Sequence, residues 1–410
     1  MKRFLSLLLL LPACAAAAAD SAAPSKPSPS PAPLPVTPFE SRLAGELARK
    51  QTGNLIYSPA SIQAALAMAR EGARHDTADE MDTVLGADSR HDIKVLMASL
   101  PPVKPGKPKD GEAMPPELSI ANRIFADKKT PLQRAFLDIT AKDYGAPAEL
   151  LDFRTAADKS RGRINAWVEE KTHDKIKNLL GPGSVDESTR MVLVNAIYMK
   201  AQWATQFEPS ATAPAKFAIE GAAPKQVPTM RTIASASWGN HGGARTLDLP
   251  YTSAGGPQLA MLLIVPDGDK LAAVEQSYAK DGLLPFLAAT RKHRGKADVA
   301  LPRFEIGTTL QLASILHDMG MHRAFSDAAD FSGISQEATA ISAVVHKAWA
   351  KVDERGTEAA AATAVVMTTT DVAVDTPHEF KVDRSFLFAI HDEKGNVLFA
   401  GRVMDPTLTQ

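Results

Sequence analysis

The sequence predicts an α+β fold, with helices concentrated in the first half of the chain and strands in the second. Of its 410 residues, 45% are hydrophobic and 23% are charged, which is the composition of a soluble globular protein. A helical run rich in Ala, Leu and Met occupies residues 61–70. Near the other end, β-rich segments at 386–390 and 397–403 flank a turn at 392–396 and predict a hairpin. The formal net charge of −1 argues against bulk attraction to nucleic acid or acidic membranes.

The first residues are typical of an export signal. Lys2 and Arg3 precede an apolar run at 4–11, which is too short to span a bilayer as a mature helix. Two endings are open. Either the Ala-x-Ala pattern at 17–19 marks the cleavage site, or the segment ending in Cys14 resembles a bacterial lipoprotein signal, which is cleaved before a cysteine that then carries lipid. Cys14 is the only cysteine, so an internal disulfide is excluded.

Three regions follow from these patterns. We predict a signal peptide at 1–19, a disordered tether rich in Pro, Ser and Ala at 20–38, and one folded domain at 39–410. The protein is therefore expected to be exported. It is either a lipoprotein of the envelope (outer membrane or periplasm), anchored through lipidated Cys14, or a secreted extracellular protein.

The folded domain begins with two predicted helices. Residues 39–50 place Leu43 and Leu47 on one helical face. Ser58 and Ser61 bracket a proline at the start of the next helix, where either serine serves as an N-cap. Further helices are predicted at 164–176 and 310–319, and a surface loop at 101–116.

The predicted strands include one that is buried on both faces. Residues 191–198 are β-rich on both faces, as expected of a central strand. Asn195 lies within it and needs a hydrogen-bond partner there. Other strands are predicted at 118–125, 247–251, 259–266, 301–306 and 341–352.

The segment after the strand at 341–352 has two interpretations. Apart from Glu358 and Met367, residues 357–370 are all Ala, Val or Thr. One interpretation is an amphipathic surface helix followed by a strand. The other is a strand throughout, in which every second residue from Thr357 shares one small, uncharged face and Glu358 falls on the opposite face. Such a strand can slide between two existing strands without burying a charge.

This segment resembles the proximal hinge of the serpins. It reads Glu-Arg-Gly-Thr-Glu-Ala-Ala-Ala-Ala-Thr at 354–363, preceded by Ile-Ser-x-Val-Val-His-Lys-Ala at 341–348. Other blocks resemble serpin segments in the family's order, among them Asn-x-x-x-Ser-Pro-x-Ser-Ile at 54–62, Asn-Ala-Ile-Tyr at 195–198, Leu-Pro-Tyr at 249–251 and Phe-x-Gly-Arg-Val at 399–403.

The resemblance covers about residues 39–406 and implies a fold. In the serpin fold, helices pack around three β-sheets, and the large central sheet can accept the reactive-centre loop, here about 354–379, as an added strand. The chain departs from the family pattern at Met199 and Ala201, which replace the usual Phe and Gly, at Arg355, which replaces a frequent Glu, and at Ser385, which replaces the usual Pro.

The resemblance also implies three groups of site residues. Trp203 belongs to the breach, where the loop enters the sheet. A polar cluster at the opening of the sheet comprises Ser58, Ser61, Asn195 and His346. The hinge comprises Glu354, Gly356, Thr357, Glu358, Ala359, Ala360, Ala361, Ala362 and Thr363.

The sequence lacks the motifs of common enzyme classes. It contains no G-x-S-x-G, no H-E-x-x-H and no G-x-x-x-x-G-K-[ST]. His317 and His322 are a poor pair of metal ligands because they straddle a predicted helix end. The basic run at 291–296 is interpreted as a solvated loop. We therefore expect no catalytic residue, metal or cofactor, no nucleic-acid partner, and a monomer.

The function that the resemblance implies is suicide-substrate inhibition of serine proteases, with cysteine proteases as further targets. A protease cleaves the loop and is trapped as an acyl-enzyme while the loop inserts into the central sheet. Two alternatives remain open. One is a non-inhibitory carrier or chaperone with the serpin fold, and the other is a serine hydrolase.

Two counts locate the bond that the protease cuts. Counting forward from Glu354 with the family's spacing places it at Thr370–Asp371, whereas counting back from Phe380 places it nearer Val374–Asp375. The forward count is preferred, because the hinge-to-bond length sets how far the protease is moved. No Lys or Arg lies between positions 355 and 381, so a trypsin-like pocket has no cation to bind. Small and β-branched residues favour elastase-like or subtilisin-like enzymes.

Overall fold

The computed structural model describes residues 38–86, 94, 116–254, 256–337, 339–357 and 376–408. The predicted signal peptide with Cys14, residues 20–37 of the predicted tether, most of the predicted loop at 101–116, and residues 358–375 lie outside these ranges. Glu358, Thr363, Thr370 and Asp371 are among residues 358–375. Pro38, which was predicted to end the tether, begins the first helix.

Helices dominate the first part of the described chain. The second helix is almost entirely buried and begins where Ser58 accepts a hydrogen bond from the main-chain N–H of Ser61, so Ser58 is its N-cap. The α-helices are α1 (Pro38–Lys50), α2 (Pro59–Gly72), α3 (His75–Leu85), α4 (Arg134–Tyr144), α5 (Phe153–Lys171), α6 (Leu271–Asp281), α7 (Leu283–Thr290) and α8 (Ala313–Asp318).

Strands dominate the later part and alternate with α6 to α8. They are β1 (Leu55–Tyr57), β2 (Glu117–Asp127), β3 (Glu149–Leu151), β4 (Met191–Gln202), β5 (Ala213–Phe217), β6 (Lys225–His241), β7 (Ala244–Pro250), β8 (Leu259–Pro266), β9 (His293–Pro302), β10 (Phe304–Gln311), β11 (Ala343–Asp353), β12 (Gly356–Thr357), β13 (His378–Lys381), β14 (Phe386–Asp392) and β15 (Val397–Val403).

The described strands form two hydrogen-bonded sheets, whereas the resemblance implied three, because β6 connects strands that would otherwise form separate sheets. The larger has the order β1-β15-β14-β8-β7-β6-β9-β13, with β5 paired to β6. Because β6 is 17 residues long and pairs with β7 along one part and with β5 and β9 along others, it joins two groups of strands into one sheet. The smaller sheet has the order β10-β11-β12-β4-β2-β3.

The α+β prediction is confirmed, and the central position of β4 is as predicted. All but one of its twelve residues are buried, and it pairs with β2 on one side and with β11 and β12 on the other. Three hydrophobic clusters surround the two sheets, and the residues of β4 divide among all of them. The C-terminal hairpin of β14 and β15 also forms as predicted.

Three predicted boundaries were wrong. The strand predicted at 301–306 is two strands, because the chain passes from one sheet to the other at Arg303. The helix predicted at 310–319 is shorter, because Leu310 and the residue after it continue the ladder of β10 against β11. The helix predicted at 164–176 begins at Phe153 and ends at Lys171, since His173 and Asp174 take left-handed φ values of 49° and 60°.

Candidate functional site

The hinge begins as a short strand wedged between two long ones. β11 and β4 are parallel and pair directly over Ala343–Trp349 and Val192–Tyr198. Beyond that stretch, β12 lies between them and pairs antiparallel with both, so Thr357 lies opposite Val352 on one side and Ala201 on the other. We call the direct β11–β4 pairing the seam. One end of the seam is therefore already opened by the first hinge residues.

Glu354 fixes the turn between β11 and β12. Its side chain is 8% exposed, accepts a hydrogen bond from Thr212 Oγ1 at 2.5 Å and forms an ion pair with Arg303. Burial acts to raise the pKa of this carboxyl, but the bonds from Thr212 and Arg303 outweigh it and hold the pKa below its usual range. The carboxylate is therefore charged, and it ties the turn to the chain segment that links the two sheets.

Gly356 is required by the closeness of β4. Its φ is 153°, and a Cβ on it would lie 2.0 Å from the carbonyl oxygen of Ala201. Any larger residue would push β12 away from β4. The resemblance placed this glycine in the hinge, and the structure shows a steric reason for a glycine at this position.

Thr357 is fully buried and is held by an aromatic pair. Its hydroxyl lies 2.7 Å from the hydroxyl of Tyr251. The Tyr251 ring stacks on Trp203 with centroids 4.5 Å apart, and Trp203 Nε1 donates to the carbonyl of Asp353 at 2.9 Å. Trp203 thus lies beside the point where β12 enters the sheet, and its role in a breach stays a prediction. Tyr251 was not identified from the sequence as a contact of the hinge, although it closes the Leu-Pro-Tyr block.

The four predicted cluster residues come together beneath the seam. Ser58, Ser61, Asn195 and His346 have no exposed surface. Asn195 Nδ2 donates to the carbonyl of Ser61 at 2.8 Å and to its hydroxyl at 2.5 Å, and the main-chain N–H of Ser58 donates to His346 Nε2 at 3.1 Å. His346 Nδ1 bonds Asn195 Oδ1. This last bond joins β11 to β4 across the seam.

The cluster holds His346 as a neutral imidazole. Because Nε2 accepts a hydrogen bond from the main-chain N–H of Ser58, the ring proton lies on Nδ1, which donates a hydrogen bond to Asn195 Oδ1. Burial lowers the pKa of His346 to about 3. The cluster is therefore uncharged over the physiological pH range and can exchange hydrogen bonds without moving a charge.

A fifth member, Asn122 on β2, was not predicted. It lies opposite Asn195 in the β2–β4 register, its Oδ1 accepts from Asn195 Nδ2, and its own Nδ2 donates to Ser61 O at 3.4 Å. The sequence feature that could have indicated Asn122 was a polar residue in the middle of the predicted strand at 118–125. The roles of these residues in sheet opening stay predictions.

The described residues form neither a metal site nor a membrane-spanning helix. The rings of His317 and His322 lie 4.3 Å apart, but no group of three or more potential ligands forms there or elsewhere in those ranges. In the same part of the chain, no helix has the length and apolarity needed to cross a bilayer.

Comparison with known proteins gives one consistent result. A family model described as "Serpin (serine protease inhibitor)" matches residues 36–406. Serpin B6 of Macaca fascicularis is 36% identical over 380 residues, which cover 90% of this chain and 97% of the relative. The structure of Serpin48, described as a highly specific serpin in the insect Tenebrio molitor, has a TM-score of 0.77 and 31% identity, covering 90% of this chain and 96% of its own. Thyroxine-binding globulin in complex with thyroxine matches with a TM-score of 0.76 and 28% identity, covering 91% and 99% of the two chains.

Proposed function

Because this chain belongs to the serpin family, we propose that it is a suicide-substrate inhibitor of serine proteases whose cleaved loop inserts into the seam between β11 and β4. Family membership supports protease inhibition in general, with a target protease as partner. The mechanism and the class of target are the proposal.

The observation that carries the proposal is the register of β12. Continued antiparallel past Thr357, the β12 ladders would place position 360 opposite both Trp349 and Tyr198, and position 363 opposite both His346 and Asn195. These are the same pairs that face each other directly in the closed seam. An entering strand would therefore match both neighbours without a register slip, which a pleated sheet would otherwise penalise by reversing every side chain.

The side chains of the loop suit the two faces that an inserted strand would have in the seam. Opposite positions share a face, so Ala359 and Ala361 would point, like Thr357, to the buried side of β11, where Ala350 and Ala348 are 1% and 0% exposed. Small residues enter such a packed layer without overpacking it.

The one ionisable residue of the entering segment would face outward. In the same register, Glu358 would lie between Lys351 and Lys200, on the opposite face from Thr357. Its carboxylate would arrive beside two ammonium groups, on the side where Lys351 is exposed to solvent.

The hydrogen bonds across the seam suit an exchange. Position 363 is a threonine, whose hydroxyl would enter between His346 and Asn195 and can both accept and donate. The bond that closes the seam would then be replaced rather than lost. Insertion also replaces the single β11–β4 ladder with two ladders, one on each side of the new strand. The additional main-chain hydrogen bonds favour the inserted form.

Insertion would displace the protease. The protease forms an acyl-enzyme with the loop, and cleavage at Thr370–Asp371 leaves the acyl group at the end of the inserting strand. The thirteen steps from Thr357 to Thr370 correspond to roughly 43 Å of strand. A protease drawn over that distance is pulled against the body of the inhibitor, and its active site is distorted before water releases the acyl group.

A denaturing gel tests the proposal. Wild-type protein incubated with subtilisin or pancreatic elastase is expected to give a complex that survives denaturant. Thr357→Arg would force a charge into the buried layer at a cost of several kcal/mol, and should be cleaved without forming a complex. Thr357→Ser, which keeps the hydroxyl bonded to Tyr251, is the matched control and should retain the complex.

Two outcomes would contradict the proposal. Clean cleavage of the wild type without a complex would favour the carrier alternative, to which the similarity to thyroxine-binding globulin lends some support. An unchanged complex yield in Thr357→Arg would count against insertion as the trapping step.

The location of the protein is a separate proposal. Export, with either an envelope anchor on Cys14 or release in soluble form, is supported by the signal-like residues 1–14 alone.

A further inference from the structure

One outward-facing surface lies beside the point where the loop rejoins the fold. β6, β9 and β13 are neighbours, and β13 follows the loop directly. Their registers place side chains in rows on the solvent side: Ile233, Asp298 and Glu379 form one row, and Ser235 with Lys296 and Ser237 with Arg294 form the next two toward the start of β9. We call the outward side chains of these strands the β6–β9–β13 face; they are Arg231, Ile233, Ser235, Ser237, Arg294, Lys296, Asp298, Glu379 and Lys381.

This face combines an apolar centre with a basic surround. Ile233 is 54% exposed and is one of three large apolar side chains that the described ranges leave open to solvent. Arg231, Arg294 and Lys296 are exposed around it. Lys381, and less strongly Arg231, hold the pKa of Glu379 below its usual range. The face carries four basic side chains against the two carboxylates of Asp298 and Glu379, so its formal net charge is positive.

Ring contacts hold β13 to its neighbours beside the loop. The ring of His378, the first residue of β13, stacks on Trp238 of β6 with centroids 4.6 Å apart and planes 5° apart. Arg245 of β7 lies over the ring of Phe380 at 5.7 Å. The short edge strand β13 is therefore attached to β6 and β7 by side chains as well as to β9 by its ladder.

A protease engaged on the loop would lie over this face. Eight residue steps separate Asp371 from Glu379, which span at most about 28 Å. A protease of about 250 residues has a radius of gyration of about 18 Å, and a stable complex buries about 800 Å² on each partner. The cleavage window comprises only residues 368–375, fewer than the roughly 20–30 residues that each partner supplies to such an interface, so the protease would contact neighbouring surface as well.

From these observations we infer that the β6–β9–β13 face is a docking surface for the target protease, and that it selects proteases with an acidic, partly apolar surface beside the active site. The inference rests on the proposed function and adds a partner chemistry to it. Complementary charge raises the rate of productive encounter and is screened by salt. The basic run at 291–296, which the sequence alone indicated only as a solvated loop, supplies Arg294 and Lys296 to this face.

The test compares two forms of one protease. Subtilisin is used untreated and with its surface lysines succinylated, which makes it acidic. The second-order rate constant for inhibition and the kcat/KM for loop cleavage are measured at 25 and 300 mM NaCl. Wild-type protein should react with succinylated subtilisin at least about tenfold faster at the lower salt concentration, with an unchanged stoichiometry of inhibition.

Paired variants locate the effect. Arg294→Glu combined with Lys296→Glu should abolish the salt-dependent acceleration, whereas Lys142→Glu combined with Lys159→Glu, at exposed sites on α4 and α5, should preserve it. Ile233→Asp should slow the reaction about fivefold. Leu150→Asp on β3, at a similarly exposed site in the other sheet, should leave the rate unchanged.

The outcomes separate this inference from the proposed function. If wild-type protein forms no stable complex with untreated subtilisin, the proposed function fails, but kcat/KM for cleavage still reports docking. If the Arg294→Glu, Lys296→Glu variant keeps the acceleration, or if the α4–α5 control loses it equally, the docking surface is wrong even where inhibition is intact.

Discussion

Replacing Asn195 with alanine would remove the side-chain hydrogen bond that crosses the seam. His346 Nδ1–H would lose its acceptor in a fully buried site, which costs about 1–3 kcal/mol. The Ser61 carbonyl would lose its 2.8 Å bond from Asn195 and keep the longer bond from Asn122 at 3.4 Å beside its helical bond, which adds about 1 kcal/mol. The closed form is therefore destabilised by about 2–4 kcal/mol.

The inserted form should lose less. With position 363 lying between His346 and Asn195, the Thr363 hydroxyl would accept from His346 in place of the asparagine. If about 2 kcal/mol of the difference lowers the barrier to spontaneous insertion, the uncleaved protein inactivates about 30-fold faster. The measurement is the half-life of inhibitory activity against subtilisin at 37 °C. It is followed in parallel by the change in tryptophan fluorescence, to which Trp349, one of four tryptophans, contributes because its ring stacks on Tyr198 across the seam with centroids 6.5 Å apart.

Thr290→Val is the matched control. Thr290 has no exposed surface, and its hydroxyl lies 2.6 Å from that of Thr246 and donates to the carbonyl of Phe286 at 2.7 Å, on the helix that packs against the larger sheet. It should destabilise the fold by a similar amount without shortening the active half-life. An unchanged half-life in Asn195→Ala, or an equal loss in Thr290→Val, would refute the assignment of this bond to the closure of the sheet.

Three further predictions follow from other parts of the chain. Burial acts to lower the pKa of His391, but the Asp248 carboxylate at 3.0 Å outweighs it and raises the pKa. The stabilisation is therefore complete below about pH 6.5 and lost as pH rises through the raised pKa, so Tm should fall from pH 6 to pH 9 in the wild type and much less in Asp248→Asn. Mass spectrometry of the C-terminal fragment after subtilisin should show a new N-terminus between Thr369 and Asp375; a stable complex with trypsin at near one-to-one stoichiometry would contradict the assigned target class. Cys14→Ser should move the protein from the membrane fraction to the soluble fraction, and a wild type that is already soluble would remove the lipid proposal.

Four residues of the buried polar cluster could be predicted from short motifs that resemble serpin segments. Ser58, Ser61, Asn195 and His346 each lie in a block with recognisable neighbours, and the structure brings all four into one buried cluster. Asn122 lies in no such block. It joins the cluster only because the β2–β4 register sets it opposite Asn195, and a register between strands 73 residues apart leaves no mark on either strand alone.

The local sequence pattern also predicted wrong boundaries where pairing with other strands determines how a segment folds. Residues 301–306 read as one continuous strand, yet the chain changes sheets at Arg303, and that same arginine forms the ion pair with Glu354. Residues 310 and 311 precede α8 but are taken by the ladder to β11. In each case, pairing with distant strands overrides a local secondary-structure preference that extends over only a few residues.

The sequence by itself determined the chemistry of the hinge: a glycine, then small residues in alternation, with one charge on the outer face. These are properties of single residues and of a two-residue period, and they can be read locally. Only the tertiary structure decided that β12 already lies between β11 and β4, in registers that would match the seam if the ladders continued. These registers join β4 to two neighbouring segments that come about 150 residues later in the chain. Such long-range pairing is fixed only where the strands meet in three dimensions, so no single strand reveals it.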